Sequence, residues 1–121
     1  MKKITLILFL LMGTSIFDSS SNLVAAKPIK SDYQQDLIFT LINPSIFNAL
    51  VGFYGTPKTY DLTESKILEI ERIGSGFNFR VKVLIETYTG PHNPPYGHEK
   101  ITMQVNLTSV LIEKFEHTQS D

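Results

Sequence analysis

Cysteine is absent from the 121-residue chain, and so is tryptophan. Without thiols there is no disulfide scaffold, no thiolate zinc site, no cysteine nucleophile and no lipid-modified N-terminal cysteine. A dominant charge is missing too. The chain has 11 Lys and Arg against 12 Asp and Glu, a net charge of −1. That leaves neither a basic stripe for nucleic acid nor an acidic tail. No G-x-S-x-G elbow, H-E-x-x-H helix or glycine-rich phosphate loop occurs. What remains is 42% hydrophobic and 11% aromatic, enough for one core in a chain with room for one domain.

The N-terminus has the three parts of an export signal. Met1-Lys2-Lys3 is cationic, Ile4–Met12 is an apolar run of nine residues, and a polar stretch from Asp18 leads to Val24-Ala25-Ala26. Small residues at that point suit cleavage after Ala26. The apolar run is broken by Gly13-Thr14-Ser15 and then Asp18, short of the roughly 20 residues a bilayer span needs. Residues 1–26 are therefore expected to be a secretory signal peptide and residues 27–121 a single exported domain. Any membrane contact is through the signal before cleavage.

The expected domain is α+β. Ser31 with Gln34 matches a capping box, and Tyr33, Leu37, Ile38, Leu41 and Ile42 follow at helical spacing. Asn43-Pro44 interrupts the pattern, because proline lacks an N–H and restricts the residue before it. Two helices are expected, the second over Pro44–Tyr54 and ended by Gly55, or else one helix kinked at Pro44. Ile46, Leu50 and Phe53 form its apolar stripe, widened by Phe47 and Tyr54. From Ser65 the period becomes two. Lys66–Ile73 reads as a strand with Leu68 and Ile70 inward, followed by a Gly74-Ser75-Gly76 turn. The Phe77–Glu86 strand comes next, then Lys100–Leu107, then Val110–His117. The last is out of phase; a β-bulge near Glu113-Lys114 would restore it, and a two-sided strand with Leu111 and Phe115 packing elsewhere would also fit. Helices against a four-stranded antiparallel meander, cystatin-like or NTF2-like, is the expected architecture. Lys66, Glu69, Glu71, Arg72, Arg80, Lys82 and Glu86 are expected to pair across its solvated face.

The segment Thr89–His98 reads as a stiffened loop carrying Pro91, Asn93 and the polar or aromatic tips Tyr88, His92, Tyr96 and His98, the residues suited to binding. Tyr54 and Tyr60 join Tyr88 and Tyr96 as an aromatic set able to edge a shallow pocket. His117 is the further candidate. It could gather with His92, His98 and Glu99 as metal ligands, but the spacing matches no metal motif, so no metal, cofactor or catalytic residue is assigned. Leu84 and Tyr88 with Leu111 and Phe115 offer an apolar patch for self-association. Asn106-Leu-Thr108 matches a glycosylation acceptor and reads as turn chemistry.

At Gly90-Pro-His-Asn-Pro-Pro-Tyr-Gly97 the chain resembles domain of unknown function 3888, a family of small secreted proteins of spore-forming Gram-positive bacteria. The resemblance extends through Asp36-Leu37, Leu41, Pro44, Tyr54-Gly55, Ile101-Thr102 and Glu113–His117. It implies export and fold, and no activity. The expected function is a non-enzymatic binding or interaction module, secreted or extracellular at the cell envelope. Its partner would be an exported protein, a peptide or an envelope component. The alternatives are a metal-dependent hydrolase using the loop histidines and a self-associating structural protein.

Overall fold

A computed structural model describes residues 30–121, so the signal segment expected over residues 1–26 lies outside the described residues. One uninterrupted helix, α1, spans Ser31–Tyr54, with Pro44 inside it. This corrects the expectation of two helices, and packing explains why. Phe39, Ile42, Ile46 and Leu50 recur at helical spacing on both sides of the proline, and all four are buried. Pro44 itself is exposed, so the carbonyl freed four residues earlier lies on the side open to water. The capping box does not form. Lys30 is the residue before the helix and caps it with no side chain, while the Ser31 hydroxyl lies 3.5 Å from Asp32 Oδ1. At the other end Gly55 adopts φ 76° and donates its N–H to the Val51 carbonyl at 2.8 Å, a left-handed stop that suits glycine.

Five strands follow: β1 Thr59–Tyr60, β2 Lys66–Arg72, β3 Phe79–Thr89, β4 Asn93–Val105 and β5 Val110–Ser120. They form one antiparallel sheet in which β2 to β5 run as the expected meander. The fifth strand corrects the expected four. The two-residue β1 pairs with the far end of β3, Thr59 opposite Tyr88, so β1 and β2 share one edge of that strand. The proline segment is also corrected. Only Gly90–His92 turns, and Asn93–His98 already belong to β4. Pro94 and Pro95 occupy the open end of β4 beyond the Tyr96–Ser120 pair, where no ladder bond is required of them. The Pro94–Pro95 peptide is cis.

The core lies between α1 and the inner sheet face, where Val81, Val83, Ile85, Ile101 and Met103 meet the helical stripe. Two register shifts set which side chains reach it. In β2 the shift falls between Ile67 and Glu69, so Ile67 and Ile70 share the inward side and Leu68, expected inward, is left exposed. In β5 Thr102 pairs with Lys114 and Met103 with Ile112, which leaves Glu113 as the bulge residue. Val110 and Ile112 point inward before it, and Phe115 and His117 after it, as the sequence requires. The outer face carries the expected ion pairs, Arg80 with Glu113 at 2.9 Å and Glu71 at 3.5 Å, and Lys82 with Glu69 at 3.3 Å. Before β5, Asn106 Oδ1 accepts the Thr108 and Ser109 N–H groups at 2.9 Å each, so an asparagine side chain organises this turn.

Replacing Pro44 with alanine restores a helical N–H at an exposed position. We expect Pro44→Ala to raise the unfolding free energy by about 1–3 kcal/mol in urea titration. A loss of stability would instead mean that the packing of α1 requires the proline.

Candidate functional site

Extending the alternation of Ile101, Met103 and Val105 back along β4 places Glu99 and Gly97 on the inner face. Glu99 is fully buried there. A carboxylate removed from water costs several kcal/mol unless partners satisfy it, so its neighbours are decisive. His117, opposite Glu99 on β5, donates from Nδ1 to Oε2 at 2.8 Å and Oε1 at 2.9 Å. Tyr54 Oη donates to Oε1 from the last residue of α1. Thr87 Oγ1 on β3 lies 3.4 Å from Oε1 and 3.1 Å from Tyr54 Oη. Four elements of the fold thus meet at one carboxylate.

Aromatic rings close the node on one side. Phe53 stacks on Phe115 with centroids 4.8 Å apart and lies 4.8 Å from the His117 ring. Phe53 keeps 48% of its surface exposed, so it gives the node an apolar outer edge. A Cβ at Gly97 would collide with Thr87 Oγ1, Glu99 Oε1 and Tyr54 Oη together, which is why the position has none. Burial first, and then the Glu99 hydrogen bond, push the Tyr54 hydroxyl from 10.0 up to about 12.

A second feature lies at the opposite end of α1. Ile38, Leu41 and Ile42 of the helix and Ile70, Phe79, Val81 and Val105 of the sheet line a groove of about 330 Å³. Every lining residue is apolar, and Leu41 and Ile70 open it to solvent at 68% and 49% exposure. From Leu37 to Tyr54 the helix carries no charged residue. It is long and apolar enough to cross a membrane by length and composition, yet its Phe39–Leu50 stripe lies in the core.

The family description "Protein of unknown function (DUF3888)" matches residues 34–119, most of the chain. The chain belongs to the DUF3888 family. No curated protein and no solved structure matches it.

Segments that carried the resemblance to DUF3888 converge on Glu99, with Tyr54 from the helix exit, Gly97 from the glycine–proline segment and His117 from β5. Among the remaining candidates of this DUF3888 chain Tyr88 and Tyr96 both contact His92, while Tyr60 and His98 have other partners. Exposed Pro91 and Asn93 flank His92, whose φ is 61° and whose ring stacks on buried Tyr88 at 3.9 Å. Tyr96 Oη donates to the His92 carbonyl at 2.8 Å, and Tyr60 Oη to Asn43 Oδ1 at 2.7 Å. His98 is directed to the outer face, toward Ser120 Oγ at 2.9 Å and Glu86 at 3.8 Å. The four residues weighed as metal ligands therefore divide, and only Glu99 and His117 touch. Among the described residues no three His, Cys, Asp or Glu side chains are placed to hold a metal ion. The expected apolar patch divides as well, since Tyr88 is buried and Phe115 faces the helix. Thr87 was not singled out in the sequence, Gly97 only as the end of the glycine–proline segment, and Phe53 only as a member of the buried helix stripe, which its 48% exposure corrects. Glu99 had its signal in the period-two register, as a charge in a core position.

Gly97→Ala is expected to destabilise the fold by about 1–3 kcal/mol, measured by chemical denaturation, because three packed oxygens must move for one methyl. Tyr54 binds its proton more tightly folded than unfolded. Its contribution is therefore complete below pH 10 and is lost as pH rises toward about 12. Unfolding free energy should fall across that interval, and Tyr54→Phe should remove part of the fall.

Proposed function

We propose that the chain is an exported binding or interaction module acting at or outside the cell envelope, with its first 26 residues serving as the export signal. The observation that carries this reading is the apolar groove beside the N-terminal half of α1. Its volume of about 330 Å³ lies at the lower end of ligand-sized pockets, and no polar side chain is present to confer chemistry on it. Such a site suits a short run of apolar side chains from an extended segment of another exported protein. No turnover is required of it. A cystatin-like or NTF2-like arrangement, one helix laid across a curved antiparallel sheet, is the architectural analogy we favour, and it transfers no activity.

Self-association is the second reading, and a different observation favours it. Leu37 and Leu41 are 59% and 68% exposed on a helix surface without charge, a pattern that marks contact surfaces. Sedimentation of the chain at high concentration separates the two, since a monomer leaves only the groove.

Titration with the neutral apolar dye phenylnaphthylamine tests the groove directly. Saturable fluorescence enhancement is expected, and the double variant Leu41→Glu with Ile70→Glu should weaken it at least ~10-fold, about 1.4 kcal/mol. Unchanged binding by the double variant, or no saturable binding by the parent, would overturn the groove as the site.

A further inference from the structure

The geometry points to a second site at the other end of α1, where Glu99 and His117 form a carboxylate–imidazole dyad that acts as a general base on water. One nitrogen of the His117 imidazole is engaged by Glu99 and the other is not. A carboxylate only accepts hydrogen bonds, so His117 Nδ1 carries the proton that it shares with both Glu99 oxygens. In the neutral ring Nε2 then holds the lone pair, and among the described residues it makes no hydrogen bond. Among the described residues no buried side-chain nitrogen or oxygen lacks a partner, so an unpartnered Nε2 must reach solvent. A buried carboxylate fixing Nδ1–H and leaving Nε2 open is the arrangement that makes an imidazole a directed base. Glu99 cannot swing away, because Tyr54 and Thr87 hold it and the missing Cβ at Gly97 leaves space only for those oxygens.

The surroundings define the substrate class. Phe53 is half exposed, and its ring lies 4.8 Å from the imidazole, giving an apolar platform beside a proton acceptor. A carboxylic ester with an apolar substituent fits both. His117 Nε2 takes a proton from water as the water oxygen bonds to the carbonyl carbon. The tetrahedral adduct then breaks its bond to the alcohol oxygen, which leaves with the proton from Nε2. Ester and water become acid and alcohol, and Nδ1–H stays with Glu99 throughout. His117 is the catalytic residue, and Glu99 is a positioning residue that acts through it. This inference is independent of the groove, and its tests use neither groove residues nor the dye.

Hydrolysis of p-nitrophenyl butyrate by the full chain reads the proposal. His117→Gln should lower the rate at least ~10-fold, a floor set beneath the roughly 10²–10⁴ that a positioned base contributes, while Lys82→Ala, altered on the opposite sheet face, leaves it unchanged. Glu99→Gln should lower the rate and also change the acid limb of the pH–rate profile, which a purely structural loss would not do. A His117→Gln rate within twofold of the parent overturns the proposal. Nitrogen-15 NMR of the unmutated chain gives a test that needs no variant to fold. The proton of neutral His117 should be found on Nδ1, and finding it on Nε2 would overturn the dyad whatever the rates.

Discussion

A single helix is too narrow for the sheet it must cover, and the rest of the molecule follows from that mismatch. An α-helix with its side chains is about 10–12 Å across, whereas strands lie about 4.8 Å apart, so a sheet four strands wide extends beyond it. Helix α1 buries one stripe, Phe39 to Leu50, and meets the sheet differently at its two ends. At one end the lining is all apolar and a groove results. At the other the inner face carries a carboxylate and an imidazole, and the last turn of the helix supplies a tyrosine to close over them. The two candidate sites are the two ends of the same incomplete cover.

Much of this was legible in the residues, for reasons tied to periodicity. The alternation through Val81, Val83 and Ile85 can be satisfied only by a half-buried strand, and it located β3 at once. The phase error between Ile112 and Phe115 allowed either a bulge or a two-sided strand, and the register shift at Glu113 is the bulge. Helix number was harder. Asn43-Pro44 looks the same to local rules whether it starts a helix or interrupts one, and the choice was made by Ile46 and Leu50 continuing a stripe that Phe39 and Ile42 had begun. The two-residue β1 has no period at all, so only its pairing with β3 reveals it. Proline-rich composition made Asn93–His98 resemble a loop because composition does not register that a strand tolerates proline where its register breaks, as it does between Asn93 and Gly97.

The site was legible in part. His117 and Tyr54 stood out as residue types, yet what joins them is Glu99, whose importance comes from burial and not from kind. Thr87 and Gly97 matter through shape, one as a short hydroxyl and the other as an absence, and neither leaves a mark in a linear reading. Loop histidines suggested metal chemistry by proximity along the chain. In the strand, however, His98 and Glu99 are neighbours that face opposite sides of the sheet, and that alternation separates them.

The bulge at Glu113 has a consequence for how this chain tolerates change. Upstream of it the even positions of β5 face inward and downstream the odd ones do, so deleting Glu113 would leave one unbroken alternation with every later side chain on its present face. Phe115 and His117 would stay under the helix and Lys114 and Glu116 in water. The strand's length between Ile112 and Phe115 can therefore shorten by one residue without exchanging its two faces.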